Sequence, residues 1–570
     1  MKKRIINIAA VLMLVLMIQG CKKDFLNRPP LSAPTAGTFY ASNADILTGT
    51  GPLYVASWSP YNGVALQAIG DVLGGNSLTD NYNGRAAFLN FSVSASDPSN
   101  SLQSAYNSFW SVIANANVVA YNIKNAAPGA TESAKNSGLA ECRFMRAAAY
   151  YYLALNWGAV PIIYDNIAQL GDAKIGRNNL ADIWKFMIMD LTWAKNNLAA
   201  APLLPGRITK WSAEGLLARA YLVRSGLGQS GGTRNQADLD SAKFYASDVC
   251  NNSGLALYPN FYDLFTSKVF SGINTPQENL FGLLWVPSGN YFDQNHMQAN
   301  LAYSSLITQT GDGWGASFGA SPSLLQYFLD PANSADSVRR KATLFMPNSN
   351  YPDISVAAGG WHVDTALFNN AKIYAPGQAP KQPGGNDKAW VKKYVIGSPA
   401  DNGGLGGQQN INMSTYMFRL SDLYLIYADA LLGNNGTTSD AEALKYFNAV
   451  RKRAGIAPKT SISFMDIFQE RKIEFAYEGH AWYDWKQWYY FDPAAAIQYF
   501  STQNRGNYNI SYNNGKPFVT YFGLDNTTPG TVTYPITAAS SNLPYPEAES
   551  IVAVSLSLPP VAFDFSKIKY

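Results

Sequence analysis

The stretch Glu470–Trp488, ERKIEFAYEGHAWYDWKQW, decides the fold of this chain. Its first half has helical spacing, because Arg471, Glu474 and Glu478 stand three and four residues apart and share one face. Side chains at this spacing can pair along a helix. Gly479 follows as a natural helix terminator. The stretch therefore predicts a helix that ends near this glycine and carries a row of paired charges.

Three tryptophans follow the glycine at intervals of three residues: Trp482, Trp485 and Trp488. This spacing places them on one stripe of a second helix. Aromatic side chains dominate the burial of protein cores, so we expect the stripe to pack inside the protein and not to form a binding surface. An arginine between two glutamates beside such a core is typical of a structural ion network and not of a catalytic site.

The composition favours a large protein that is polar through uncharged groups. Its 570 residues can bury a large core, and charged residues make up 14%, below the roughly 25% usual for soluble proteins. Aromatic residues reach 13%, and Asn, Ser, Gly and Tyr supply most of the polarity. Such groups suit hydrogen bonding to hydroxyl-rich ligands. The net charge of +4 is too small to indicate nucleic-acid binding.

The N-terminus has the pattern of a targeting segment over residues 1–20, with a basic start and an apolar run over Ile5–Ile18. This run is short for a membrane span. It ends in Gln-Gly before Cys21, which resembles a bacterial lipobox and predicts lipidation of that cysteine. Residues 21–40 then form a polar, proline-bearing tether. The alternative is an ordinary signal peptide cleaved nearby.

Helical patterns occur in two blocks, about 101–257 and 413–490. Small and aromatic positions in them resemble a tetratricopeptide repeat, in which helix pairs stack to bury their remaining faces. The predicted fold is mainly α, with tetratricopeptide-like helical pairs. The predicted helices are Leu102–Ala126, Leu139–Trp157, Leu180–Leu198, Ile208–Ser225 with Thr209 as N-cap, Leu239–Asn251 and a pair within Tyr424–Ala454.

Residues 258–412 hold many Gly, Pro, Asn and aromatic residues and few long periods, so we expect an inserted loop-rich lobe with short strands. Residues 491–570 are also predicted to be loop-rich, and Gly70–Arg85 is predicted to be a polar surface loop. The elements predicted within the lobe are a strand at Glu278–Trp285, a helix at Ser321–Asp330 and a strand at Lys388–Ile396.

Residues that bind metals or form disulfides are sparse. Cys142 and Cys250 fall in helical patterns and are predicted to be buried thiols. No HExxH, HxxH or CxxC motif occurs, which argues against a zinc site. The polar cluster after Thr79 faintly resembles a calcium loop but lacks EF-hand spacing. No cofactor is predicted, and a structural calcium ion is left open.

The stretch quoted first resembles the C-terminal signature of the SusD/RagB family, surface glycan-binding lipoproteins of Bacteroidetes-type bacteria. His480 and Trp485 are less typical of that signature. The start CKKDFLNRPP and the segment LPYPEAES (Leu543–Ser550) also resemble the family, so the likeness covers nearly the whole chain. The positions that match the signature are Arg471, Glu474, Phe475, Glu478, Gly479, Trp482, Tyr483, Asp484 and Trp488.

This resemblance implies a single SusD-like domain over residues 41–570. It also implies binding of a polysaccharide or oligosaccharide without covalent chemistry. The implied partner is a SusC-like TonB-dependent transporter, which the protein would cap while delivering the glycan. The implied location is the outer membrane, with the protein held by its lipid anchor and facing the cell exterior.

Aromatic residues in glycine-rich loops are the candidate ligand contacts. Trp314 lies in Gly311–Gly315, GDGWG, where no regular element would bury it. An exposed aromatic plate is poorly hydrated unless something covers it, and a sugar ring has an apolar C–H face and a hydroxyl rim that suit the task. The alternative is that each ring folds back onto the core. The predicted ligand-binding residues are Trp314, Tyr291, Phe292, Trp361, Asp80, Asn81 and Arg85.

Two other function classes stay open. A divergent carbohydrate-active enzyme would need two carboxylates facing the aromatic loops, one with a raised pKa. The sequence contains no P-loop motif. A binder of a peptide or glycopeptide on the same scaffold would present a loop face without aromatic plates.

Overall fold

The computed structural model describes residues 39–80, 82–125, 129–169, 175–270, 276–286, 294–314, 318–346, 349–363, 388–514, 516–523, 525 and 527–568. The predictions for the signal segment, for lipidation at Cys21 and for most of the tether lie outside these residues. So do the binding predictions for Asn81, Tyr291 and Phe292.

Helices dominate the regular structure, and the predicted helices of both blocks are present with shifted ends. Thr209 caps its helix as predicted, in a reciprocal capping box with Ser212. The helices are α1 (Asn43–Gly49), α2 (Val64–Leu66, continued by a π-helix over Gln67–Leu73), α3 (Ala86–Leu89), α4 (Ser101–Lys124), α5 (Glu132–Trp157), α6 (Asn166–Gln169), α7 (Leu180–Asn197), α8 (Lys210–Arg224), α9 (Gln236–Asn252), α10 (Met297–Leu301), α11 (Ser305–Thr308), α12 (Pro322–Leu329), α13 (Ser337–Thr343), α14 (Leu420–Leu432), α15 (Ala441–Arg453), α16 (Phe464–Glu474), α17 (Ala481–Phe491), α18 (Pro493–Ser501) and α19 (Glu547–Val552).

The strands are short and mostly pair as two-stranded ladders. The strands are β1 (Ser77–Thr79), β2 (Asn279–Leu283), β3 (Phe318–Ala320), β4 (Leu344–Phe345), β5 (Asn350–Tyr351), β6 (Trp361–His362), β7 (Trp390–Val391), β8 (Gly406–Gly407), β9 (Asn410–Ile411), β10 (Thr415–Arg419), β11 (Thr437–Thr438), β12 (Ile462–Ser463), β13 (Asn507–Asn513) and β14 (Lys516–Phe522). One sheet has four strands in the order β1-β3-β7-β4, all antiparallel. The pairs β10-β2, β11-β12, β13-β14, β5-β6 and β8-β9 are also antiparallel.

The helical blocks stack in the manner of a tetratricopeptide array. Helix α4 packs on α5, α5 on α7, α7 on α8, α8 on α9, α9 on α14, and α14 on α15. A buried ion pair fastens α5 to α7, with Arg146 donating to both oxygens of Asp190 at 2.7 and 2.8 Å. The mainly helical fold with an inserted lobe between α9 and α14 is therefore confirmed.

The tryptophan stripe is core, as predicted. Trp482 and Trp485 are fully buried and stacked, with ring centroids 4.8 Å apart, and Trp488 is also buried. Trp485 stacks in turn on Phe500 at 5.0 Å. The indole nitrogen of Trp482 donates to the side chain of Asn156 at 3.1 Å, which joins α17 to α5.

The signature charges form a buried network, but their partners differ from the prediction. Arg471 donates to Asp422 at 2.6 Å and to Asp484 at 2.7 Å, and not to the glutamates on its own face. The helix ends earlier than predicted, at Glu474. Tyr477, at φ +64°, has left-handed backbone, which is incompatible with continuing the helix to Gly479.

The prediction of a loop over Gly70–Arg85 is wrong. The π-helix Gln67–Leu73, β1 and a short 3-10 helix at Tyr82–Gly84 occupy most of it, and Gly70 and Asp71 are buried. The π-helix crosses the signature so closely that a Cβ on Gly70 would lie 2.3 Å from the Cα of Gly479. Both carboxylate oxygens of Asp71 accept signature N–H groups, from Tyr477 at 2.8 Å and Gly479 at 2.9 Å.

Two further predictions need correction. Residues 491–570 are not loops throughout, because α18, the β13-β14 hairpin and α19 lie there. The strand predicted over Lys388–Ile396 shrinks to Trp390–Val391, since Tyr394 has left-handed backbone at φ +64° and breaks the extended run. The two thiols are free; Cys142 is buried and Cys250 is partly buried.

Candidate functional site

Trp314 is the exposed aromatic residue in the lobe that the sequence singles out. Its side chain is 50% exposed, while its indole N–H donates to the carbonyl of Gly311 at 3.1 Å. Its backbone N–H donates to the carbonyl of Ala299 at 3.0 Å, which fixes it against α10. Since the only polar group of the ring is already bonded, its free surface is apolar.

The loop that carries Trp314 is held by buried contacts. Gly313 has φ +113°, and a Cβ there would lie 2.4 Å from the backbone nitrogen of Ser305, so only glycine fits. The fully buried carboxylate of Asp312 accepts the N–H of Gln409 at 2.8 and 3.1 Å. Burial raises the pKa of Asp312, and the Gln409 N–H and a Thr310 hydroxyl bond oppose the rise.

The four-stranded sheet brings the predicted polar residues towards this loop. β1 and β3 are antiparallel and pair Thr79 with Phe318. The chain therefore leaves β1 at Asp80 at the same end of the sheet where it enters β3, shortly after Trp314. The sequence predicted these two loops as one site, and the topology places them at one end of one sheet.

Asp80 and Arg85 have different environments. The Asp80 side chain is 49% exposed, whereas that of Arg85 is 9% exposed. The guanidinium of Arg85 donates to Asp80 at 3.0 Å and lies over the ring of Phe318, 4.9 Å from its centroid. This geometry suits Arg85 to orienting Asp80, and it leaves Asp80 accessible.

Trp361 is not an exposed plate, so that prediction is wrong. It is 1% exposed, and its indole N–H donates to the hydroxyl of Tyr303 at 3.2 Å. Tyr303 in turn stacks on Trp390 with centroids 5.8 Å apart. The β5-β6 pair turns the ring inward, where it supports the lobe from within.

Sequence reasoning missed the loop after β8 as a neighbour of Trp314. Gln408 and Gln409 form the two-residue turn between β8 and β9. A Cβ on Gly311 would lie 3.2 Å from the amide nitrogen of Gln408, so this exposed side chain lies beside the tryptophan loop. The only sequence signal was the run of glycine and amide residues in GGLGGQQN.

The residues that the structure describes form neither a metal-binding cluster nor a membrane-spanning helix. No group of three or more His, Cys, Asp or Glu side chains there is arranged to hold a metal ion. Among the same residues, no helix has the length and apolar character needed to cross a bilayer.

Comparison with protein families gives two matches. The model described as "SusD family" matches residues 283–548, and the one described as "Starch-binding associating with outer membrane" matches residues 44–222. A SusD-like protein of Bacteroides ovatus is 36% identical over 100% of this chain and 99% of its own length. SusD-like protein P25 of Formosa agariphila is 25% identical over 85% of this chain and 90% of its own.

Solved structures agree with these matches. A crystal structure with xylogluco-oligosaccharide has 36% sequence identity and a TM-score of 0.79, covering 91% of this chain and 99% of its own. A laminarin-binding SusD-like protein, at 21% identity and a TM-score of 0.63 over 90% of this chain and 98% of its own, shares the fold. This chain therefore belongs to the SusD family, as the signature Glu470–Trp488 predicts.

Proposed function

We propose that this protein binds an uncharged oligosaccharide or polysaccharide at the cell surface and delivers it, unaltered, to a TonB-dependent outer-membrane transporter. The observation that carries the proposal is Trp314. Its ring is half exposed, its N–H is bonded within its own loop, and its backbone is fixed to α10. A rigid apolar plate at the end of a sheet suits the C–H face of a sugar ring, because stacking removes apolar area from water on both partners.

Xyloglucan-type oligosaccharides are the first ligands to test. A structure that shares 36% of this sequence was solved with xylogluco-oligosaccharide. Asp80 lies at the same end of the sheet and would accept hydrogen bonds from sugar hydroxyls. Tyr291, Phe292 and Asn81 remain proposed contacts.

In this proposal the protein binds the glycan and does not cleave it. A glycosidase needs two carboxyl groups on opposite sides of the scissile bond. Of the carboxylates near Trp314, that of Asp312 is fully buried against the Gln409 backbone, and Asp80 pairs with Arg85. These arrangements suit Asp312 to holding the site and Asp80 to accepting hydrogen bonds from the ligand, rather than either residue to hydrolysis.

The attachment to the membrane is part of the same proposal. Residues 1–20 would be removed, Cys21 would carry the lipid, and residues 21–40 would tether the SusD-like domain of residues 41–570. More than one acyl chain gives stable anchoring, where a single chain does not. This attachment would keep the glycan site next to the transporter in the outer membrane.

Calorimetric titration of the protein with xylogluco-oligosaccharide tests the proposal. Trp314→Ala should weaken binding by about ten-fold or more and leave the melting temperature nearly unchanged. Phe244→Ala is the matched control, because Phe244 is an exposed aromatic residue (66%) on helix α9, outside the lobe. Wild-type affinity in the Trp314 variant would show that the Trp314 ring does not stack on the sugar. A wild-type protein that binds no member of a glycan panel would refute glycan binding.

A further inference from the structure

Two loops of the lobe are tied together beneath Trp314. The tie is the carboxylate of Asp312, which is fully buried and accepts the backbone N–H of Gln409 with both oxygens, at 2.8 and 3.1 Å. On its own side, the backbone carbonyl of Asp312 accepts the hydroxyl of Thr308 at 3.1 Å. A charge-assisted bond to a backbone N–H is among the stronger kinds of hydrogen bond.

The residue at the far end of this tie has strained backbone. Gln409 is a non-glycine residue at φ +52° in the two-residue turn between β8 and β9. The left-handed region is unfavourable for a residue with a Cβ, and such a conformation persists where the surrounding structure holds it in place. The hydrogen bond from its N–H to Asp312 and the β8-β9 pairing on both sides of the turn support this conformation.

The strained turn places Gln408 beside the tryptophan loop. The side-chain amide of Gln408 is exposed, and its nitrogen is 3.2 Å from the position that a Cβ on Gly311 would take. Gly311 is also the residue whose carbonyl accepts the indole N–H of Trp314. Next to the turn, Cβ positions on Gly403, Gly404 and Gly407 have no atom within 4 Å, so space for a ligand lies open on this side.

We propose that the sugar contacts both loops, with Trp314 stacking on its ring and Gln408 hydrogen-bonding its hydroxyls, and that Asp312 is the positioning residue that holds the two side chains together. This inference rests on the proposed glycan binding. An amide offers both a donor and an acceptor, which matches the hydroxyl rim of a sugar. Gln408 is thus a specificity-determining contact, and Asp312 acts through its neighbours.

Paired glutamine variants of the full chain test the contact by titration with xylogluco-oligosaccharide. Gln408→Ala should weaken binding about three- to ten-fold, the range expected for lost hydrogen bonds. Gln409→Gly is the matched control and should keep wild-type affinity, because glycine adopts the left-handed conformation freely and retains the N–H. Equal affinities of Gln408→Ala and the wild type for the oligosaccharide would show that Gln408 does not contact the sugar.

Asp312 variants test the positioning role. Asp312→Ala should weaken binding, and Asp312→Asn should recover most of the loss because its amide oxygen still accepts the Gln409 N–H. In the Trp314→Ala and Gln408→Ala double background, Asp312→Ala should cause no additional loss. A loss that adds in full to the others would show that Asp312 does not act through them.

A measurement without ligand separates this inference from the proposed function. Hydrogen exchange of the segment 403–412 should quicken in Asp312→Ala and stay slow in Asp312→Asn, since protection of the Gln409 amide depends on an acceptor oxygen in the side chain at position 312, which asparagine retains. Unchanged exchange in Asp312→Ala would overturn the tie whether or not glycan binds. If the wild-type protein binds no glycan, both the proposed function and the proposed contact between Gln408 and the sugar are wrong. The exchange result would still show whether Asp312 holds the Gln409 turn.

Discussion

Replacing Glu474 with glutamine would remove one charge from the centre of the buried network. The Glu474 carboxylate is fully buried and lies 3.1 Å from Arg419 and 3.5 Å from Arg339, and it also pairs closely with Arg453. The substitution keeps the size of the side chain. It therefore isolates the contribution of the charge from that of packing.

The magnitude follows from the pKa. Burial by itself would raise the pKa of Glu474, but Arg453, Arg419 and Arg339 outweigh it and lower the pKa from 4.5 to about 2. A difference of about 2.5 units, at 1.36 kcal/mol each, corresponds to about 3 kcal/mol of stability at neutral pH. Each arginine retains another carboxylate, so the loss should lie near the lower end of the roughly 3–5 kcal/mol seen when a buried pair is broken.

Urea denaturation followed by tryptophan fluorescence at pH 7 and at pH 3 is the assay. The folded-state pKa of Glu474 lies below the unfolded one, so the stabilisation is fully present above pH 4.5 and is lost as the pH falls towards 2. The difference between wild type and Glu474→Gln should be about 3 kcal/mol at pH 7 and should fall to about 1 kcal/mol at pH 3. Glu132→Gln, which breaks the exposed pair with Lys135, is the control and should change stability by less than about 0.5 kcal/mol.

Two results would refute this account of the network. A loss below about 1 kcal/mol at pH 7 would mean that the charges behave like an exposed surface pair. A loss that stays the same from pH 7 to pH 3 would mean that packing, and not ionisation, is the cause.

Three further predictions concern other parts of the chain. Trp485→Ala should lower the free energy of unfolding by roughly 3–5 kcal/mol, because it empties the aromatic stack; an unchanged melting temperature with weaker glycan binding would contradict this. Trp361→Phe should lower the melting temperature, because the bond to Tyr303 is lost, and titration should show little change in affinity; the opposite pattern would restore Trp361 as a ligand contact. Cys21→Ala should release the protein from the outer membrane, and a variant that still fractionates there with fatty-acid label would disprove lipidation.

The helical scaffold could be predicted because its signals are local. Apolar periodicity and the Thr209 cap are enough to define helices to within a few residues. The partners of the buried charges could not be predicted, because they lie far away in sequence. Arg471 pairs with Asp422 on another helix, and not with the glutamates three and seven residues further along its own segment. The sequence predicts a loop at Gly70 for a similar reason. Its close approach to Gly479 is visible only once both segments are placed.

In the candidate site, too, local features could be predicted from the sequence and tertiary contacts could not. Trp314 and Trp361 both follow glycine in irregular sequence, and local context predicts exposure for both. Tertiary contacts separate them, since Tyr303 accepts the N–H of Trp361 inside the lobe whereas Trp314 bonds within its own loop. The tie from Asp312 to Gln409 spans 97 residues, so no local pattern could reveal it.

The crossing of the π-helix and the signature has a consequence for how the chain folds. Asp71 bonds to the backbone of Tyr477 and Gly479, and the side chain of Gln67 donates to the Tyr477 carbonyl at 3.1 Å. These contacts join segments about 400 residues apart, and closing so long a loop is slow relative to forming local helices. Helices α4 to α9 can assemble as they are synthesised, but the segment around Asp71 must wait for nearly the whole chain. A nascent chain that stops before the signature would leave that buried carboxylate and its apolar neighbours exposed, which makes such a truncated product prone to aggregation and degradation.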